Sequence, residues 1–210
     1  MARKQLYVSL DIEADGTVPG PFSMLSFGMV VLDIEGKLYG THTANLEKLS
    51  YADPLGHPDT MKWWNSTPEL KKAYKKTRED LVLPKIAMIS CKGWLSKIAY
   101  DNTAVLSLIG FPVCYDFMWL YWYMMNITGT CKPLTFNGFD IKTAAAIALD
   151  LPYSWANKRN FPKRFFEGAP KHTHIALDDA MQQAVLFVNI MKEIKNESIA
   201  NKQGFEELDL

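Results

Sequence analysis

Apolar and polar residues alternate strictly over residues 6–13, so Leu6, Val8, Leu10 and Ile12 share one face of a strand and Asp11 and Glu13 point together to the other. Residues 14–21 form a Gly/Pro loop. Residues 22–32 and 37–46 read as two more strands, joined through Asp33-Ile34-Glu35-Gly36. The lysine-rich stretch 68–78 predicts a solvated helix, and 84–99 an amphipathic one. A short buried strand is expected over 104–109, a helix over 116–126, and a strand at Leu134-Thr135-Phe136 leading into a helix over 140–149. Residues 157–172 read as a loop and 175–195 as a last helix. The polar, acidic stretch 196–210 reads as a frayed tail. Strands first, then strands alternating with helices, imply an α/β architecture with a mixed sheet flanked by helices, in one domain over residues 1–195.

Composition narrows this further. The 210 residues carry 23 basic and 23 acidic side chains and are 48% apolar, which excludes disorder and is enough for a real core. Zero net charge argues against a protein that coats nucleic acid by bulk electrostatics. Cys91, Cys114 and Cys131 match neither a disulfide framework nor a CxxC metal site, and read as buried free thiols. No leader is visible at the N-terminus, so the expected compartment is the cytoplasm, and the sequons at Asn65, Asn126 and Asn196 are chance matches. Residues 103–128 are long and apolar enough to span a bilayer. Asp116 at their middle, with Gly110 and Pro112, favours a buried strand and helix instead, and no membrane partner is expected.

Three sets of residues carry candidate chemistry. Asp11 and Glu13 repel each other unless a cation or proton lies between them, or unless both are simply solvated on an edge strand. An EF-hand reading of the same stretch fails, because the twelfth position is Phe22 and the flanking element is a strand. Asp116 is the lone charge in an apolar run and reads equally as a buried ligand or a first-turn helix acid. At about 100° per residue, Asp178 falls on the solvated face of the last helix with Gln182, Asn189, Lys192 and Glu193. Asp179 turns inward with Gln183, Leu186 and Ile190. Leu177, Met181, Ala184, Val188 and Met191 are the expected core stripe. His174 enters the same neighbourhood just before the helix.

Asp-x-Glu on a first strand, a buried Asp about a hundred residues on, and His-x4-Asp entering the last helix together resemble the DEDDh 3′–5′ exonuclease superfamily. The resemblance runs over residues 5–195. It is strongest to the small members: oligoribonuclease, RNase T, and RNase T-like exoribonucleases of bacteria and phages. Pro58-Asp59-Thr60-Met61-Lys62-Trp63-Trp64 is similar to a segment of that last group. It implies an RNase H-like five-stranded sheet with three antiparallel strands first. It also implies that Asp11, Glu13, Asp116 and Asp179 hold two divalent cations, Mg²⁺ or Mn²⁺, with His174 as general base. The implied activity is release of nucleoside 5′-monophosphates from 3′ ends of single strands or short oligonucleotides, RNA before DNA, by a homodimer. Ala14-Asp15-Gly16 stands where the wider superfamily has Thr-Thr-Gly, and Tyr115-Asp116-Phe117 where His-Asn-x-x-Phe-Asp is frequent.

Substrate contacts are expected from Ile12 between the acids and Ala14 after them, and from Met24 and Leu25 as a wedge on the terminal base. Trp63 and Trp64 offer stacking faces, although core packing suits one of them equally. The loop over 157–172 has a net charge of +4, and its Lys158, Arg159, Lys163 and Arg164 can hold a phosphate backbone. A DNA-directed exonuclease and a non-catalytic binding module on the same fold are the competing readings.

Overall fold

A computed structural model describes the backbone of residues 3–206 and side chains of residues 3–196. Five strands, β1 (Lys4–Ala14), β2 (Met24–Leu32), β3 (Leu38–Asn45), β4 (Ala104–Gly110) and β5 (Gly138–Asp140), make one sheet in the order β3-β2-β1-β4-β5. The first three pair antiparallel with one another, while β4 and β5 run parallel to β1. This is the mixed α/β sheet the element order implies. Among the described residues, six α-helices flank it: α1 (Pro58–Trp64), α2 (Pro68–Lys76), α3 (Pro84–Asp101), α4 (Val113–Thr128), α5 (Ile141–Ala148) and α6 (Ala176–Glu206).

The alternation in β1 is realised on the two faces of the sheet. Leu6, Val8, Leu10 and Ile12 pack with Met88, Cys91 and Leu95 of α3 and Trp119, Leu120 and Tyr123 of α4. Burying each such side chain contributes about 1.5–3 kcal/mol. The reverse face takes α6. There the Ser9 hydroxyl donates to the Ala180 carbonyl at 2.7 Å. The helix lies close because Ala176, Ala180 and Ala184 recur every four residues and are all buried. The centre of its stripe is therefore alanine, with Leu186, Phe187 and Ile190 beyond, and Leu177, Met181 and Met191 flank it half-buried. Hydropathy ranks Leu and Met above Ala, yet only Ala fits where helix and sheet backbones nearly touch.

The apolar run over 103–128 resolves into β4 and α4, and no described helix is long and apolar enough to cross a membrane. Other boundaries differ from expectation. The fifth strand forms at Gly138–Asp140 rather than at Leu134–Phe136, where Leu134 is a core residue of a loop. The segment over 157–172 carries two 3-10 turns, Lys158–Asn160 and Lys163–Phe166, pinned by buried Phe161 and Phe165. Residues 196–206 continue α6 instead of fraying, and residues 207–210 lie outside the described part. Of the cysteines, Cys91 is buried, with its thiol pushed up to about 12 by desolvation, Cys131 is half-buried and Cys114 is exposed.

Candidate active site

The carboxylates converge at the C-terminal end of β1. Its parallel ladder with β4 stops at Ser9, paired with Ile109, so the next residues of β1 have no strand on that side. The freed Ile12 amide must find another acceptor, and it donates to Asp116 Oδ1 at 3.2 Å. Asp116 sits in the first turn of α4 and is buried, so it is a first-turn helix acid that also lies inside the protein. On the other side Asp11 pairs across the ladder with Gly28 of β2. A β-carbon at Gly28 would lie 2.3 Å from the Leu177 amide nitrogen and 2.4 Å from the Ala176 carbonyl. The absent side chain is what lets the start of α6 rest on the sheet and bring Asp179 to Asp11.

Carboxylate oxygens of Asp11, Glu13 and Asp179 lie within 4.8 Å of one another. Gln183 Nε2 donates to Asp11 Oδ1 at 2.7 Å, which fixes that carboxylate. Burial first, then repulsion from the other acids, drives the Asp11 and Glu13 carboxyls well above the carboxylate range. Burial pushes Asp116 up to about 8. Burial acts the same way on Asp179, but its hydrogen bonds outweigh it and hold this carboxyl low. His172 Nδ1 and the His174 amide approach Oδ2, each at 2.9 Å, and the Thr173 amide donates to Oδ1 at 2.9 Å. Oxygen donors gathered this closely, and reluctant to ionise together, fit a hard divalent cation such as Mg²⁺ or Mn²⁺. Asp11, Glu13 and Asp179 could hold it, with Asp116 buried beside them.

His174 takes φ +58°, a left-handed conformation, and its ring lies near Asp179, with the Trp63 ring edge-on at 5.2 Å. Burial, then neighbouring His172, keeps its imidazole below the usual histidine range and so neutral at pH 7. A cleft of about 380 Å³ opens beside the acids between Ile12–Ala14, Thr17, Trp63 and Tyr115. Ile12, Ala14 and Trp63 thus line it as expected. Trp64 is 1% exposed and donates from Nε1 to the Ala14 carbonyl at 3.0 Å, so of the two tryptophans this one belongs chiefly to the core.

Met24 and Leu25 do not reach the cleft surface. Both are fully buried at the start of β2, Met24 with its amide on the Tyr123 hydroxyl and Leu25 with its carbonyl on Arg78, so neither can wedge against a base in this conformation. Arg164 forks onto Glu193 of α6, and Lys163 is exposed. The basic residue of that loop that faces the acids is Lys158. Its ammonium donates to Gln182 Oε1 at 3.0 Å; burial lowers its pKa, and Asp11, Asp179 and Asp116 counter that effect. Gln182 is accordingly buried rather than solvated beside Asp178, bridging Lys158 and the Pro170 carbonyl. Two residues escaped sequence reasoning as functional. Gln183 was legible by its place on the Asp179 face. His172 was legible only as His-x-His ahead of the helix.

Converging acids on this sheet and a histidine before α6 resemble the arrangement expected of the DEDDh 3′–5′ exonucleases. No family model matches the chain. It is 25% identical over 187 residues to an Escherichia coli protein named 3′-5′ DNA exonuclease Cap18, covering 88% of this chain and 90% of that one. The nuclease domain of 3′hExo, a DEDDh family member bound to rAMP, superposes with a TM-score of 0.65 at 12% identity over 90% of this chain and 92% of that one. Product-bound exonuclease I superposes with a TM-score of 0.55 at 16% identity, over 92% of this chain and 44% of its own.

Metal binding has a measurable consequence for stability. A carboxyl raised in the folded state stabilises the fold below its unfolded pKa, and that contribution is lost as pH rises through the folded value. For Asp116 the window runs from about 4 to about 8. Asp11 and Glu13 act in the same direction, and Asp179, held low, acts oppositely. Mn²⁺ at 100 times its Kd should stabilise the protein by about 2.7 kcal/mol, or roughly 5–10 °C in Tm at this size. The gain should grow from pH 5 to pH 8 as the acids ionise. Thermal melts with Mn²⁺ or EDTA measure it, and equal Tm values at pH 8 would remove the metal site.

Proposed function

We propose that this chain is a metal-dependent 3′–5′ exonuclease that removes nucleoside 5′-monophosphates from single-stranded 3′ ends. The observation that carries it is the gathering of Asp11, Glu13 and Asp179 oxygens within 4.8 Å, with His174 alongside. Divalent cations held by these residues and Asp116 would neutralise the acids and polarise the scissile phosphate. His174, neutral and edge-on to the Trp63 ring of the cleft wall, takes the proton of the attacking water. The water oxygen bonds to phosphorus as the bond to the 3′ oxygen breaks, and the 3′ oxygen takes a proton from solvent water, leaving a chain one nucleotide shorter with a free 3′ hydroxyl. Trp63 offers the terminal base a ring face, and Lys158 places a positive charge beside the acids.

DNA is the first substrate to test, because the Escherichia coli relative is named a DNA exonuclease. The likeness to small exoribonucleases, and a structural neighbour bound to rAMP, keep RNA as the second. Purified protein with Mn²⁺ or Mg²⁺ should shorten 5′-labelled single strands to a ladder that EDTA abolishes, and matched DNA and RNA strands rank the two substrates. Trp63→Ala should raise KM roughly 5- to 150-fold, the equivalent of about 1–3 kcal/mol per stacked base. No shortening of either strand with either metal would end the reading. Binding of single strands that persists in EDTA without turnover would favour a non-catalytic module.

A further inference from the structure

One group of metal-ligating side chains is not used by the acid cluster alone. His172, His174 and Asp179 each offer an atom within 4.8 Å of the other two. His172 Nδ1 is already 2.9 Å from Asp179 Oδ2, and the two imidazole rings stand 4.2 Å apart, nearly perpendicular. Both rings lie against the same carboxylate, one on either side of Thr173 in the chain. Two imidazoles and a carboxylate are not a Mg²⁺ set, since Mg²⁺ favours oxygen and dehydrates reluctantly. They match the nitrogen-rich sites taken by later first-row cations, Zn²⁺ above all, with bonds of about 2.0–2.1 Å and a water completing the tetrahedron. His172 is 45% exposed, so an ion can arrive from solvent without opening the fold.

We propose that His172, His174 and Asp179 form a second kind of metal site, selective for Zn²⁺ over Mg²⁺, whose occupation shuts the nuclease off. An ion there takes the imidazole lone pair of His174 that would accept the proton of water. It also draws on Asp179, which the acid cluster shares. The inhibitory part rests on the exonuclease reading; the binding part does not.

The test is calorimetric titration of Zn²⁺ into metal-stripped protein held in saturating Mg²⁺, so that the acid cluster is already engaged. Wild type should bind one Zn²⁺. His172→Gln should bind it at least roughly 10- to 100-fold more weakly, since even outer partners of a ligand cost this much. Imidazole nitrogen signals of both His172 and His174 should shift in nuclear magnetic resonance spectra of wild type on adding Zn²⁺, and circular dichroism confirms that the variant is folded. Zn²⁺ should inhibit Mg²⁺-supported cleavage by wild type, and His172→Gln, measured against its own zinc-free rate, should need a correspondingly higher concentration. Equal Zn²⁺ affinity in the two proteins, or Zn²⁺ binding lost in Glu13→Gln but kept in His172→Gln, overturns the site. If neither protein cleaves any strand while the calorimetric difference holds, the exonuclease reading fails and the site stands.

Discussion

Asp11→Asn should give a protein that cleaves more than about 10²-fold more slowly than wild type, beyond the loss typical of an outer metal partner, yet melts higher without metal at pH 8. The two effects share one cause. Asp11 is driven upward by burial and then by Asp116, Glu13 and Asp179, so ionising it at pH 8 costs stability. Asparagine removes that charge and keeps an oxygen for Gln183 Nε2. The same change strips a charged ligand from the cation, so the Mn²⁺-dependent rise in Tm should shrink as well. Melts with and without Mn²⁺, run beside the cleavage assay, check all three. A variant that loses activity and also melts lower without metal would mean that Asp11 is a structural residue.

Gly28→Ala is expected to damage the same chemistry from the far side of the ladder. The added methyl would meet backbone atoms at 2.3–2.4 Å, and backbone cannot rotate away as a side chain can. Overpacking of this kind costs at least about 1–3 kcal/mol, and the relief available is for the start of α6 to lift. Lifting moves Asp179 from Asp11 and Glu13, and a displacement of about 1 Å can lower a rate some 10²-fold. Chemical denaturation should therefore show lost stability, with cleavage falling further than the folded fraction explains. The Mn²⁺ rise in Tm should fall too. Unchanged activity in a stable Gly28→Ala protein would show that helix and strand have slack there.

Much of this was legible along the chain. Period-two alternation placed Asp11 and Glu13 on one face and the core on the other, and helical angles turned Asp179 inward and Asp178 out. Such periodicities report which way a residue points relative to its own element. They do not report how closely two elements approach. That distance made alanine the centre of the α6 stripe, buried Gln182, and drew Lys158 rather than Arg164 toward the acids. Met24 and Leu25 failed for a related reason. A loop of glycine and proline predicts an exposed neighbour, but the strand that follows is buried from its first residue, whose amide donates to the Tyr123 hydroxyl of α4. The short strand at Gly138–Asp140 has only three residues, too few to show a period.

The end of the β1–β4 ladder at Ser9 also divides the site in time. Leu10 and Asp11 belong to the strand at the middle of the sheet, whose amides should exchange with solvent deuterium only when the whole domain opens. The amides of Thr173 and His174 rest on a single carboxylate just outside α6 and can open locally, orders of magnitude sooner. Half of the constellation is therefore expected to persist as long as the fold does, while the histidine half should open and re-form within that time. A cation that grips Asp179 would slow exchange at those two amides first, leaving the slow half unchanged.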